Sequence, residues 1–210
     1  MMKQHKKLVV VTTLITLLPM LAGILLWTKL PDMVATHFNA QNEPNGWSSK
    51  GMAVFGIPVF LAAVHLVCVL VTEKDPRRQN ISARLQKLIL WICPLCSFIC
   101  CGATYGYALG MEVDFMRFAN LFVGILFIGI GNYLPKSKQN RTVGFRMKWT
   151  LSSEENWNKT HRLAGWICVC GGIVILLNAF LGQELLLLAV VLAICIVPPV
   201  YSFVLYRKGV

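Results

Sequence analysis

Acidic residues are scarce in this chain. Nine Asp and Glu stand against 20 Lys and Arg, and charged residues of both signs make up only 14% of the 210 positions. Soluble domains carry about 25% charged residues, so an ordinary soluble fold is excluded. Also missing are a nucleophile elbow, a glycine-rich phosphate loop and a paired-histidine zinc motif. No repeat, low-complexity stretch or long linker divides the chain into soluble domains. The eight cysteines (Cys68, Cys93, Cys96, Cys100, Cys101, Cys168, Cys170, Cys195) all lie in apolar runs, which excludes an extracellular disulfide framework. Cys93, Cys96 and Cys100 share a helical face, as small apolar filler or as a metal or redox site.

What the chain has is hydrophobic residues, 56% of the total. A bilayer core needs roughly 20 apolar residues per helix, and six runs qualify: 8–27, 52–71, 88–109, 118–134, 163–181 and 185–206. The expected fold is all-α, a polytopic membrane protein of six transmembrane helices. The first run has a basic start, but it is too long for a signal-peptide core and is followed by Lys29, Leu30 and Pro31 rather than a small-residue cleavage site, so it reads as a retained anchor. With the amino terminus inside, every Lys and Arg except Lys29, Lys50 and Arg117 falls on the inner side. That is the positive-inside bias, and it puts both termini in the cytoplasm. The net charge of +11 then reports topology and attraction to anionic lipid headgroups, with no direct nucleic-acid partner.

Two polar intervals stand out. The outer one, 29–51, contains the turn signal Asn45-Gly46 and an interfacial Trp47. His37, Asn39 and Trp47 make a candidate outward-facing site, or His37 and Asn39 merely brace the turn. The inner one, 135–162, is too long for a connector and carries Trp149, Trp157 and Phe145, so it is expected to be ordered and functional. Ser152 and Glu155 have capping-box spacing, from which one helix can run through Trp157 and His161 into the apolar run at Leu163. Glu154, Trp157 and His161 then share a face, and Glu155 and Lys159 pair along another. Of the remaining polar positions, His65 is read as structural rather than functional, Pro58 as a kink, Asn178 as architectural, and Gly102, Gly106 and Gly110 as a close-packing stripe.

Both intervals resemble one family. Gly131-Asn132, Asn140, Gly144, Arg146, Trp149-Thr150-Leu151, Trp157 and Thr160-His161-Arg162 resemble the signature segment of the SdpI immunity-protein family of bacterial membrane proteins. Leu30-Pro31, His37-Phe38-Asn39, Gly46-Trp47 and Lys50 resemble the small amino-terminal module that accompanies it. Met147-Lys148 replaces the family's usual Thr-Pro, and Asn42 stands where a turn glycine is common, a position asparagine tolerates. The resemblance implies an amino-terminal two-span module (1–87) and a four-span domain (88–210) in the bacterial cytoplasmic membrane. It implies resistance to a secreted peptide toxin, bound by His37, Asn39 and Trp47. It also implies capture of a cytoplasmic autorepressor by Asn132, Asn140, Gly144, Arg146, Trp149, Thr150, Glu154, Trp157, His161 and Arg162. No cofactor or metal is expected on this reading. The alternative, from the enzyme class, is a membrane-embedded enzyme or metal site around Glu154, Trp157 and His161.

Overall fold

A computed structural model describes residues 2–39 and 41–210. Six helices are long and apolar enough to cross a membrane: Lys6–Leu25, Met52–Lys74, Ala83–Ala108, Phe115–Lys136, Glu154–Leu181 and Glu184–Arg207. All six expected spans are present, and several run a few residues further into the polar intervals. The elements, in order, are α1 (Met2–Leu17), α2 (Pro19–Leu25), β1 (Met33–Phe38), β2 (Pro44–Ser49), α3 (Ile57–Lys74), α4 (Ala83–Ala108), α5 (Phe115–Tyr133), α6 (Lys148–Ser152), α7 (Glu154–Leu181) and α8 (Glu184–Arg207). Pro19 divides α1 from α2. Pro58 lacks the amide that would close a normal turn, and a π-turn over Met52–Gly56 precedes it. Leu185 and Phe180 are exposed at 77% and 74%, as expected of side chains that meet lipid rather than protein.

The chain packs as two compact units, 1–71 with 89–116 and 72–88 with 117–210. In the first, Val9, Val69 and Leu90 form one apolar cluster, and Leu30, Val54, Cys101 and Tyr105 form another. Buried polar groups pair between these helices. The Thr12 hydroxyl of α1 meets His65 Nε2 of α3 at 3.0 Å, and Ser97 of α4 donates to the Thr16 carbonyl at 2.7 Å. Bonds of this kind contribute about 0.6 kcal/mol each on average. His65 therefore has a helix-pairing partner.

The outer interval is more ordered than an all-α reading foresees. It is an antiparallel hairpin of β1 and β2, with irregular pairing between Ala35 and Phe38. Asn45-Gly46 is not its turn but lies inside β2, with Gly46 opposite His37. The turn is made by asparagines. Asn39 Oδ1 accepts from the amides of Gln41 (3.0 Å) and Glu43 (2.8 Å), and Asn42 takes the left-handed conformation at φ 62°. A local Asx bond of this kind competes successfully with an Asn-Gly turn. Asn42 also anchors the tip, donating to Asp114 and accepting from the Met116 amide at the start of α5, both at 3.0 Å. At the base, Lys50 donates to the Leu30 carbonyl, pairs with Asp32, both at 3.1 Å, and sits over the Trp27 ring.

In the second unit α5 and α7 touch backbone to backbone. A Cβ on Gly131 would lie 2.7 Å from the Gly165 carbonyl oxygen, and one on Gly172 would lie 2.7 Å from that of Gly124. The two contacts are seven residues apart on each helix, the spacing of a shared face. The stripe expected at Gly102, Gly106 and Gly110 makes no such approach: a Cβ on Gly102 meets nothing, and Gly110 follows the end of α4 at φ 83°. Asn178 bonds Asn120 of α5 at 3.0 Å and closes the end of α7 through Gln183, an architectural role.

Candidate functional site

The interval 134–153 owes its shape to a few buried polar side chains. Asp75, just beyond α3, has both carboxylate oxygens engaged. Oδ2 accepts from the Arg141 amide (2.8 Å) and the Thr142 hydroxyl (2.6 Å), and Oδ1 from the Arg77 amide (2.8 Å). Burial works against ionisation here. The hydrogen bonds from Thr142, Arg77 and Arg141, with the Arg141 charge, outweigh it and hold the carboxyl below its ordinary pKa. Fully buried Asn140 folds the next turn, accepting from the amides of Thr142 (2.9 Å) and Val143 (2.7 Å) and donating to Ser137 Oγ and the Lys138 carbonyl. Gln139 donates to the Thr150 carbonyl at 2.8 Å and accepts from Arg77. Thr150 itself takes the Met147 amide at 2.9 Å and so starts α6.

The segment closes on α7 through Trp157 and His161. Trp157 Nε1 donates to the Ser137 carbonyl at 2.8 Å, and its ring stacks on His161 at 3.8 Å. His161 Nδ1 donates to the Trp157 carbonyl (2.8 Å), and Nε2 accepts from the Phe145 amide (3.1 Å). That pattern fixes a neutral ring with its proton on Nδ1. Gly144 lies directly against the ring at φ 106°, and a Cβ there would come within 2.1 Å of Nε2. Glycine is therefore required here twice, for its backbone angle and for its missing side chain. Trp149 packs on α8, stacked on Tyr206 at 5.8 Å and edge-on to Phe203 at 5.4 Å.

The sequence-predicted residues thus divide. Asn140, Gly144, Thr150, Trp157 and His161 converge in one frame, and Trp149 braces it from outside. Glu154, Arg146, Asn132 and Arg162 are exposed. Glu154 does not join Trp157 and His161, because it sits at the solvent-facing start of α7 while they face inward. The capping residue is Ser153 rather than Ser152, accepting from the Asn156 amide at 3.1 Å. α6 extends through Ser152, whose hydroxyl turns back to the Trp149 carbonyl, so the helix start moves one residue on. The Glu155–Lys159 pair forms at 2.7 Å. Among the described residues no three His, Cys, Asp or Glu side chains come together to hold a metal.

Sequence reasoning missed three residues that do much of the positioning: Asp75, Gln139 and Asn156. Buried Asn156 is fully satisfied, donating to the carbonyls of Ser202 (3.0 Å) and Val210 (3.2 Å) and accepting from Thr160 (3.1 Å) and Ser202 (2.7 Å). The available signal was Asn156 and Thr160 at i, i+4 on the inward side of a spanning helix. In the hairpin, His37 is exposed and bonded to Asn45, Trp47 is 54% exposed, and Asn39 is committed to the turn.

Residues 136–202 match the SdpI/YfhL protein family, and residues 14–62 match a domain of unknown function, DUF1648. Over 206 residues, 95% of this chain and 96% of the relative, the sequence is 27% identical to the immunity protein SdpI of Bacillus subtilis (strain 168). No solved structure matches. The resemblance read in the two polar intervals therefore stands, and it extends along nearly the whole chain.

Proposed function

We propose that this SdpI homologue is an immunity protein of the bacterial cytoplasmic membrane, and that it protects against a secreted peptide toxin which its hairpin meets from outside. The observation that carries the reading is the alignment with an immunity protein over 95% of the chain. The 14–62 match falls in the amino-terminal half of the chain and the 136–202 match in the carboxy-terminal half. With both termini inside, as the basic residues favour, the hairpin is extracellular. Its exposed Trp47 offers an aromatic anchor and its exposed His37 a polar contact for a peptide. Asn39 shapes the turn that presents them.

The finer proposal is that the inner segment captures a cytoplasmic repressor when toxin is engaged. It is supported by a rigid frame of Asn140, Gly144, Thr150, Trp157 and His161 that carries Arg146, with Glu154 at its edge. Toxin would have to favour one of two arrangements of the segment for such coupling to exist. No observation favours the enzyme reading. Both His161 nitrogens are bonded within the protein, and among the described residues no carboxylate is seen bonded to the ring.

The test is survival of a sensitive bacterium expressing the protein under challenge with secreted peptide toxins. Trp47→Ala and His37→Ala are expected to weaken protection at unchanged protein level. Full protection by both variants would remove the hairpin from the account.

A further inference from the structure

Two signature residues, Asn132 and Arg162, take no part in the frame around His161. They meet instead at an open groove of about 550 Å³ between the end of α5 and α7, within the size range of small-ligand sites. At its base Gly131 and Gly165 bring the two helices together, with Pro135 packed against Gly165. Its polar rim is Lys136, Asn132, Asn158 and Arg162, and no carboxylate lines it. Lys136 is held over the Tyr133 ring at 5.3 Å and within 3.4 Å of Asn132 Oδ1. Arg162 is exposed and makes no side-chain bond among the described residues.

The other end of the groove is apolar, lined by Trp166 and Val169. Trp166 is 65% exposed, and the face continues along α7 through Ile173 (48%) and Leu177 (58%), about two and three turns beyond Trp166 on the same stripe. The groove lies where the polar start of α7 gives way to its membrane-spanning part, the level at which tryptophan settles. Two cations and two amides at the water edge, leading into an apolar track, match an amphiphile with an anionic head. A free phosphate would use only the rim, and an acidic peptide would leave the track without an occupant.

We propose that this groove binds an anionic phospholipid, with the phosphodiester against Arg162 and Lys136 and an acyl chain along Trp166, Ile173 and Leu177.

The test uses the full chain in neutral detergent micelles, titrated with phosphatidylglycerol or phosphatidylcholine bearing brominated acyl chains. The readout is fluorescence quenching assigned to Trp166 by difference from Trp166→Phe. Phosphatidylglycerol is expected to quench at a mole fraction at least tenfold lower than phosphatidylcholine. Each charge near a headgroup is worth roughly a fivefold change in affinity. Arg162→Gln should therefore raise the half-quenching mole fraction about fivefold, and the double variant with Lys136→Gln about 25-fold. Arg84→Gln, an exposed charge elsewhere, should leave it unchanged. Arg162 is exposed and has no partner among the described residues, so its loss is not expected to disturb folding, and Arg162→Lys should retain most of the preference. Equal quenching by the two lipids, or a preference that survives the double variant or falls equally with Arg84→Gln, would overturn the proposal. Displacement of the lipid by millimolar glycerol phosphate would assign the rim to a soluble phosphate, and displacement by an acidic peptide would assign it to a protein segment; either result also overturns it.

Discussion

Gly144→Ala tests how the inner segment is held. At φ 106° an alanine is strained, which costs about 1–3 kcal/mol. The new methyl would also fall within 2.1 Å of His161 Nε2, so the ring or the loop must move. Moving either breaks the bond from the Phe145 amide, and an orphaned buried donor costs about 1–3 kcal/mol. The sum is about 2–6 kcal/mol of local stability, while the six spans keep their own contacts. Hydrogen exchange of the 138–149 amides in the full-length protein should then quicken roughly thirtyfold or more, with the spanning helices unchanged. In a His161→Ala background the clash and the bond are already gone, so the same glycine change should cost only its backbone strain, and the pair should be strongly non-additive. Equal effects of Gly144→Ala in both backgrounds would refute the contact between Gly144 and the imidazole as the reason for the glycine.

Two further perturbations probe the supports of that segment. The Asp75 carboxyl has a lowered folded-state pKa, so its stabilisation is fully present above the ordinary carboxylate value of about 3.9 and is lost as pH falls through the lower folded value. Acid loosening of the segment, followed by hydrogen exchange, should thus begin only below that pH, and Asp75→Asn should lower protection at neutral pH and flatten the acid dependence. Asn156→Ala leaves Thr160, Ser202 and the Val210 carbonyl without their partner and should cost about 1–3 kcal/mol, read as a lowered thermal midpoint in detergent. A midpoint within error of wild type would mean that the network relaxes to other partners.

The helical frame was legible because crossing a bilayer leaves a strong compositional mark: six apolar runs with basic residues gathered in alternate connections cannot be read otherwise. Individual turns were less legible. Asn45-Gly46 has the strongest local turn chemistry in the outer interval, yet Asn39 and Asn42 make the turn, because Asn39 supplies an Asx bond and Asn42 gains long-range partners at Asp114 and Met116. The helix start at Ser153 was displaced by one residue by α6, which nothing local to Ser152 and Glu155 announces. Asp75 was not legible as a support because its partners, Arg141 and Thr142, are 66 and 67 residues away. The glycine contacts at Gly131 and Gly165 depend on which helices are neighbours, so spacing within one helix, as at Gly102 and Gly106, pointed elsewhere. Within the signature, the motif residues were identified as a set, but the chain alone could not sort buried frame from exposed surface.

The central claim is immunity, and survival tests it most directly. A toxin-sensitive bacterium expressing this chain, with its membrane level verified, is challenged with secreted peptide toxins from related bacteria, beside Trp47→Ala and Arg146→Ala strains. The account predicts protection by the wild type against at least one toxin, reduced by Trp47→Ala, with Arg146→Ala keeping protection if the inner segment serves signalling. Death of the wild-type strain at the same dose as the empty host, for every toxin, would contradict it.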